Sequence, residues 1–217
     1  MQGDVKFRLD DLLVRRGFFS SRSRARDAIE RATVRVAGRV ETKPGLSVSS
    51  EAEIVVDDPA AAYVSRAALK LIAGLDAFGF DPAGTVALDI GASTGGFTQV
   101  LLERGAARVW AIDVGHDQFH PSLRSDPRVR LREGLNARDL AAADLGDDRP
   151  QFLVCDVSFI SLKLALLPAL ALAAAGARGV FLVKPQFEAG RAAIGKGGLL
   201  RDPQDGPRVA AEIAAWL

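Results

Sequence analysis

Apolar residues in the amino-terminal stretch change their period several times. Leu9, Leu12 and Leu13 recur at helical spacing and stop near Gly17. Ser21 stands where a helix cap belongs, ahead of a helix in which Ala25, Ala28 and Ile29 share one face. Alternation takes over at 33–36, at Val40 and at 52–56, punctuated by Ala37-Gly38-Arg39 and Lys43-Pro44-Gly45, the pattern of short strands joined by turns. Residues 1–58 thus read as a helical pair followed by a small sheet. Residues 59–64 have the composition of a connection, and the boundary falls near Pro59.

Beyond it the pattern predicts a helix over 65–78 with Leu69, Ile72 and Leu75 on its apolar face. Strand-like and helix-like stretches then take turns: 86–90, 96–104, 108–113, 129–132, 152–156, 162–175 and 179–184. Such alternation predicts an α/β fold over 65–217, a parallel sheet covered by helices. Ligands of such sheets sit beyond the carboxyl ends of the strands, which puts Asp89, Asp113, Asp156 and Lys184 on one rim.

Composition narrows the class. A chain of 217 residues with 48% hydrophobic and 25% charged residues suffices for one sizeable core plus a small module. One cysteine, Cys155, and two histidines, His116 and His120, cannot build a disulfide framework or a zinc cluster. A reducing compartment, the cytoplasm, is expected, without a metal. The start of the chain has no apolar run of signal-peptide type, and the most apolar stretch, 162–183, is broken by Pro168, Gly176, Arg178 and Gly179, so no membrane partner is expected. The net charge of +1 hides a local excess: residues 15–39 hold eight arginines against Asp27 and Glu30.

The stretch Asp89-Ile-Gly-Ala-Ser-Thr-Gly-Gly96 follows the first long strand. A glycine turn there lets backbone approach a ligand closely, but the spacing is not G-x-G-x-x-G. Asp89 stands directly before it, able to accept a hydrogen bond from a cationic or hydroxylated ligand. S-adenosylmethionine has both features, and Asp113 ends the next strand, where a carboxylate meets ribose hydroxyls. A tight turn plus a helix cap describes the same residues.

VALDIGASTGGFTQVLLERGAARVWAIDVGHDQ, with YVSRAALKL before it and DVSFISL, VKPQFEAGR and GKGGLLRDP after it, resembles the FtsJ-type methyltransferases, and more closely the TlyA family of ribosomal RNA 2'-O-methyltransferases. The resemblance implies a Rossmann-like class I methyltransferase domain with S-adenosylmethionine held by Asp89, Gly91, Ser93, Gly95, Gly96 and Asp113. Asn136, in GLNARDL, is the implied adenine contact. Methylating a ribose hydroxyl needs in-line placement and removal of a poorly acidic proton. The family's Lys-Asp-Lys-Glu tetrad carries over to Lys70, Asp156 and Lys184, with Lys184 as base or hydroxyl-positioning group. Ser158 and Phe159 read equally well as lining of the acceptor pocket or as a turn serine and a core phenylalanine. Without the resemblance, Lys70 reads as a solvated helix residue, whereas Asp156 and Lys184 are expected to terminate apolar strands. The tetrad's glutamate lies on a further strand in the family. This sequence stops at Leu217 inside a predicted helix, and Glu188 and Glu212 lie outside that motif context, so the reading expects a truncated enzyme with impaired turnover.

Arg8-Leu-Asp-Asp-Leu-Leu13, Ser21-Arg-Ser-Arg-Ala-Arg-Asp-Ala-Ile29, Val34-Arg-Val-Ala-Gly38 and Lys43-Pro44 resemble the S4 RNA-binding domain, a small α+β fold, with Ala32 and Ala37 where that family commonly has Gly and Asn. The resemblance implies ribosomal RNA or ribosomal subunits as partner, with Arg8, Arg22, Arg24, Arg26 and Lys43 on phosphates and a cytidine of small- or large-subunit RNA flipped into the rim. Two other readings compete. One is a noncatalytic RNA-binding or ribosome-assembly factor on the same fold. The other, a membrane-active hemolysin suggested by the family's older name, lacks a supporting segment.

Overall fold

The computed structural model describes residues 5–217, which fall into two compact units divided between Ala62 and Tyr63. In the first, β1 (Lys6–Arg8) leads into α1 (Leu9–Arg15) and α2 (Arg22–Glu30), followed by β2 (Val34–Val36), β3 (Arg39–Glu41), β4 (Ser47–Ser49) and β5 (Ile54–Val56). Leu9, Leu12 and Leu13 of α1 and Ala25, Ala28 and Ile29 of α2 share one core with Val34 and Val48. The Ser21 side chain caps α2, accepting from the Arg24 amide. The sheet differs from the simple reading. β3, β2 and β5 form an antiparallel sheet in that order, while β1 and β4 pair in a separate antiparallel ribbon, so the helices do not come first.

Between β2 and β3, Val36 pairs with Arg39, leaving Ala37 and Gly38 as a two-residue turn with φ of 47° and 78°. Both positions need the left-handed region, which suits Asn-Gly, since the short Asn side chain bonds the local backbone, and which costs other residues with a Cβ, alanine included, about 1–2 kcal/mol. Ala37→Asn is therefore expected to stabilise the chain by about 1 kcal/mol, read as a higher denaturant midpoint with an unchanged slope.

The second unit contains α3 (Ala67–Phe78), β6 (Val86–Ile90), α4 (Gly96–Glu103), β7 (Arg108–Asp113), α5 (Pro121–Arg124), β8 (Val129–Glu133), β9 (Phe152–Cys155), α6 (Leu162–Leu172), β10 (Arg178–Phe181), α7 (Pro185–Glu188) and α8 (Asp205–Trp216). The five-stranded sheet is parallel throughout, in the order β10-β9-β6-β7-β8. Alternate residues serve opposite layers. Ala87, Val109, Phe152 and Val154 face a core shared with α3 and α4, whereas Leu88, Trp110, Leu153 and Cys155 face α6 and α8. The chain order reverses between β6 and β9, and in open α/β sheets the ligand crevice forms at that reversal.

Three expectations shift. The buried stripe of α3 is Ala68, Leu71 and Leu75, with Leu69 and Ile72 only half-buried. The buried face is turned by about one residue from the expected one, and the helix comes so close to β10 at Gly74 that a Cβ there would meet Val180 at 2.8 Å. The predicted helix over 162–175 ends at Leu172. β9 and β10 end at Cys155 and Phe181, so Asp156 and Lys184 lie just beyond their strands rather than at the last strand position. Among the described residues no helix is long and apolar enough to cross a membrane.

Candidate functional site

Asp89 lies near the end of β6, its side chain on the layer that faces α4. It is fully buried. One oxygen, Oδ2, accepts from the Thr98 hydroxyl at 2.7 Å, while the buried Oδ1 has no hydrogen-bond partner among the described residues. Burial pushes the carboxyl up to about 7; hydrogen bonds from Thr98 oppose the shift, and the charges of Asp156 and Asp113 add to it. A half-satisfied buried carboxylate costs free energy unless something polar meets the free oxygen.

Above Asp89 the turn runs through Gly91 (φ 81°), Ser93 (φ 48°) and Gly95 (φ 95°). Its glycines also answer to space. A Cβ on Gly91 would meet Val157 at 3.0 Å, on Gly96 it would meet Ser65 at 2.9 Å, and on Gly95 it would meet Leu123 at 2.5 Å. Gly91 and Gly96 thus border the cleft, whereas Gly95 allows α5 to pack beneath the turn. Asp113, at the end of β7, holds the turn from the side: Oδ2 accepts from the Ser93 amide and Oδ1 from the Gly115 amide, both at 2.7 Å. Each oxygen keeps acceptor capacity toward the cleft.

Two cavities meet here. The larger, about 610 Å³, is lined by Gly91, Ser93, Asp113, Leu135, Asn136 and Phe159, among others. Asn136 also caps a short 3₁₀ turn, accepting from the Arg138 amide. The smaller, about 270 Å³, has Ser65, Gly96, Thr94 and Lys184 on its walls. Gly91, Ser93, Asp156 and Ser158 belong to both.

At this junction Lys184 Nζ lies 2.6 Å from Asp156 Oδ1, an ion pair whose angle is not that of a hydrogen bond. The same nitrogen donates to Ser158 Oγ at 2.8 Å and to the Asp156 carbonyl at 3.3 Å. Lys70 reaches Asp156 Oδ2 from α3 at 3.4 Å. The two lysines differ in setting: the Lys184 side chain is 20% exposed and Lys70 51%. Phe159 is 90% exposed with φ 65°, and its ring leans on Phe187 at 5.1 Å between centroids. A large apolar residue held in the left-handed region and thrust into solvent at a cavity mouth is a mark of function. Cys155, one residue before Asp156, faces the other layer, fully buried, its thiol pushed up to about 12 by burial.

The cleft therefore gathers Gly91, Ser93, Gly96, Asp113, Asn136, Asp156 and Lys184; Asp89 lies beneath the turn, Gly95 lies in the turn but faces α5, and Lys70 lies outside both cavities. The sequence reading missed Thr98, whose signal is a hydroxyl on an otherwise apolar helix face, and Ser65.

In the first unit the arginines divide. Arg8 and Arg22, each 54% exposed, bond the buried Asp10 carboxylate at 3.0 Å. Burial would raise that carboxyl, but the two guanidinium partners win and hold it below its ordinary value. Arg24 donates to the Ala60 carbonyl. Arg16 holds the Ala52 and Ser50 carbonyls, and Arg31 is paired with Asp58 and Asp27, so neither is a spare charge. Arg26 and Lys43 are exposed without an ion pair among the described residues.

The FtsJ-like methyltransferase family matches residues 63–216, and the S4 domain matches residues 7–54. A Mycobacterium tuberculosis protein named 16S/23S rRNA (cytidine-2'-O)-methyltransferase TlyA is 48% identical over 198 residues, spanning 91% of this chain and 74% of its own length. Hemolysin A of Brachyspira hyodysenteriae is 41% identical, over 90% of this chain and 81% of its own. A solved structure from Streptococcus thermophilus, provisionally termed a hemolysin, covers 97% of this chain and 77% of its own, with 38% identity and a TM-score of 0.73. On a match spanning both units in order, the chain belongs to the TlyA family of FtsJ-like methyltransferases, with an S4 domain ahead of the catalytic fold.

Proposed function

We propose that this chain transfers a methyl group from S-adenosylmethionine to a ribose 2'-oxygen of ribosomal RNA, at cytidine of the 16S or 23S molecule, the activity named for its Mycobacterium tuberculosis relative. The observation that carries the reading is the junction of two cavities at Asp156 and Ser158, with Asp113 and Asn136 in one and Lys184 in the other. The residues fit the donor. The unpartnered Asp89 Oδ1 suits its ammonium, Asp113 its ribose and Asn136 its adenine, and Gly91 and Gly96 leave no room for a Cβ. When bound, the donor supplies a methyl activated by a sulfonium.

Lys184 meets the 2'-hydroxyl, orienting its oxygen as a donor and, only in its unprotonated form, accepting its proton, while Asp156 and Ser158 fix the nitrogen. Lys70 supports Asp156 from outside. Phe159, exposed and backed by Phe187, offers a ring on which a flipped base stacks. The S4 unit holds the RNA by phosphate contacts. Arg26→Ala is expected to weaken RNA binding alike across sequences and to lower the salt slope by about one. Arg16→Ala, which frees the Ala52 and Ser50 carbonyls, should lower stability instead.

The test is transfer of labelled methyl to separated ribosomal subunits and to naked rRNA, with mapping of the modified ribose. A 2'-O-methylated cytidine is the expected product. Donor and RNA binding without transfer would leave a binding-only protein and overturn the proposal.

A further inference from the structure

We propose that Glu188 is a positioning residue that clasps together the two loops carrying the acceptor side of the site, an inference that rests on the roles given above to Lys184 and Phe159. One loop leaves β9 as Asp156-Val-Ser-Phe-Ile-Ser161 and enters α6; the other leaves β10 and carries Lys184 into α7. Glu188 closes α7 and reaches across to the first loop. Its Oε2 accepts from the Ser161 hydroxyl at 2.6 Å and its Oε1 from the Leu162 amide at 2.7 Å.

One carboxylate thus satisfies an amide at the start of α6 and holds the hydroxyl that caps the same helix, since Ser161 Oγ in turn accepts from the Lys163 amide at 3.2 Å. The positions it ties down are the ends of short segments. Glu188 is four residues past Lys184 and next to Phe187; Ser161 is two residues past Phe159. Along the chain, between the strand ends and the clasp, come the Phe159–Phe187 ring pair and the bonds from Lys184 to Asp156 and Ser158. Along the two loops the clasp is the last of these links, and without it the left-handed turn at Phe159 has less to hold it. Glu188 lines neither cavity, so its effect on the site runs through Lys184 and Phe159.

Glu188→Gln keeps an acceptor for the Leu162 amide and can donate to Ser161, whereas Glu188→Ala loses both bonds. Steady-state methyl transfer and hydrogen exchange of residues 156–162 and 184–189 are measured together for wild type, Glu188→Ala, Glu188→Gln and Ser161→Ala. Expected are faster exchange in both loops and a kcat about tenfold lower in Glu188→Ala, with KM for S-adenosylmethionine within about twofold and Glu188→Gln close to wild type. Wild-type kcat in Glu188→Ala, an equal loss in Glu188→Gln, or faster exchange in 184–189 alone overturns the clasp. If Glu188→Ala does not fold, Ser161→Ala carries the comparison, with the same two-loop pattern expected and its absence decisive against the proposal. A wild-type chain that transfers no methyl overturns the proposed function, and the exchange data then still decide whether Glu188 joins the loops.

Discussion

Lys184→Ala is expected to lower kcat for methyl transfer to ribosomal RNA by about 10²- to 10⁴-fold, the range lost with a positioned proton-transfer group. Affinities for donor and RNA should stay within about twofold, because neither the glycine turn nor the S4 unit depends on this nitrogen. Lys70→Ala should cost far less. Its 3.4 Å contact with Asp156 is half in solvent, where an ion pair contributes about 0–1 kcal/mol. Lys184→Arg divides the role. Arginine keeps the charge and the donors but holds its proton, so a variant as slow as alanine points to proton acceptance, and one near wild type reduces Lys184 to orienting the hydroxyl. Single-turnover rates at saturating donor and RNA make the comparison; an alanine variant at full rate removes Lys184 from the chemistry.

The second large effect concerns pH. With its carboxyl pushed up to about 7, Asp89 is mostly neutral in mildly acidic solution, and in the proposed donor site it would pair with an ammonium only after losing its proton. Donor affinity should therefore rise as pH increases toward about 7, approaching tenfold per unit on the acidic limb. It levels and then falls as the donor's own α-amino group, near about 8, loses its charge. The sign for the unliganded protein is opposite. The folded pKa lies above the ordinary 3.8, so the folded state binds more protons in that window, and this group's contribution to stability is lost as pH rises through about 7. The thermal shift produced by the donor should accordingly grow over the same interval. Asp89→Asn should abolish the acidic limb and weaken binding near neutral pH by about 10²-fold, the loss of a charge-assisted hydrogen bond in a buried setting. Calorimetry across the interval decides it, and a flat profile in the wild type would refute the pairing.

The parallel sheet was legible because β6, β7 and β9 are apolar runs that end at or beside acids, and buried parallel strands have no other way to read. The ribbon of β1 and β4 was not. Lys6-Phe-Arg8 and Ser47-Val-Ser49 contain one apolar residue apiece, too little for a period to show. The glycine turn and its acids could be found by spacing, since neighbours in sequence are neighbours in space there. Glu188 could not: its partners lie 26 and 27 residues away and meet only when β9 and β10 pair. Phe159 reads as core by type, and only the positive φ of its turn puts it in solvent. The arginine excess was visible as charge, but not the division between Arg16 and Arg31, bound to the fold, and Arg26, left outward.

Cys155 gives the molecule a practical property. The chain's one thiol is sealed in the sheet and held almost wholly protonated at neutral pH, so it is unreactive toward alkylating probes in the folded state. A cysteine introduced on the surface, at Glu53 of the S4 unit or at Lys163 on α6, would be the sole reactive handle without removal of the native one. A spin label or fluorophore at either position would then report on that unit alone as RNA is added.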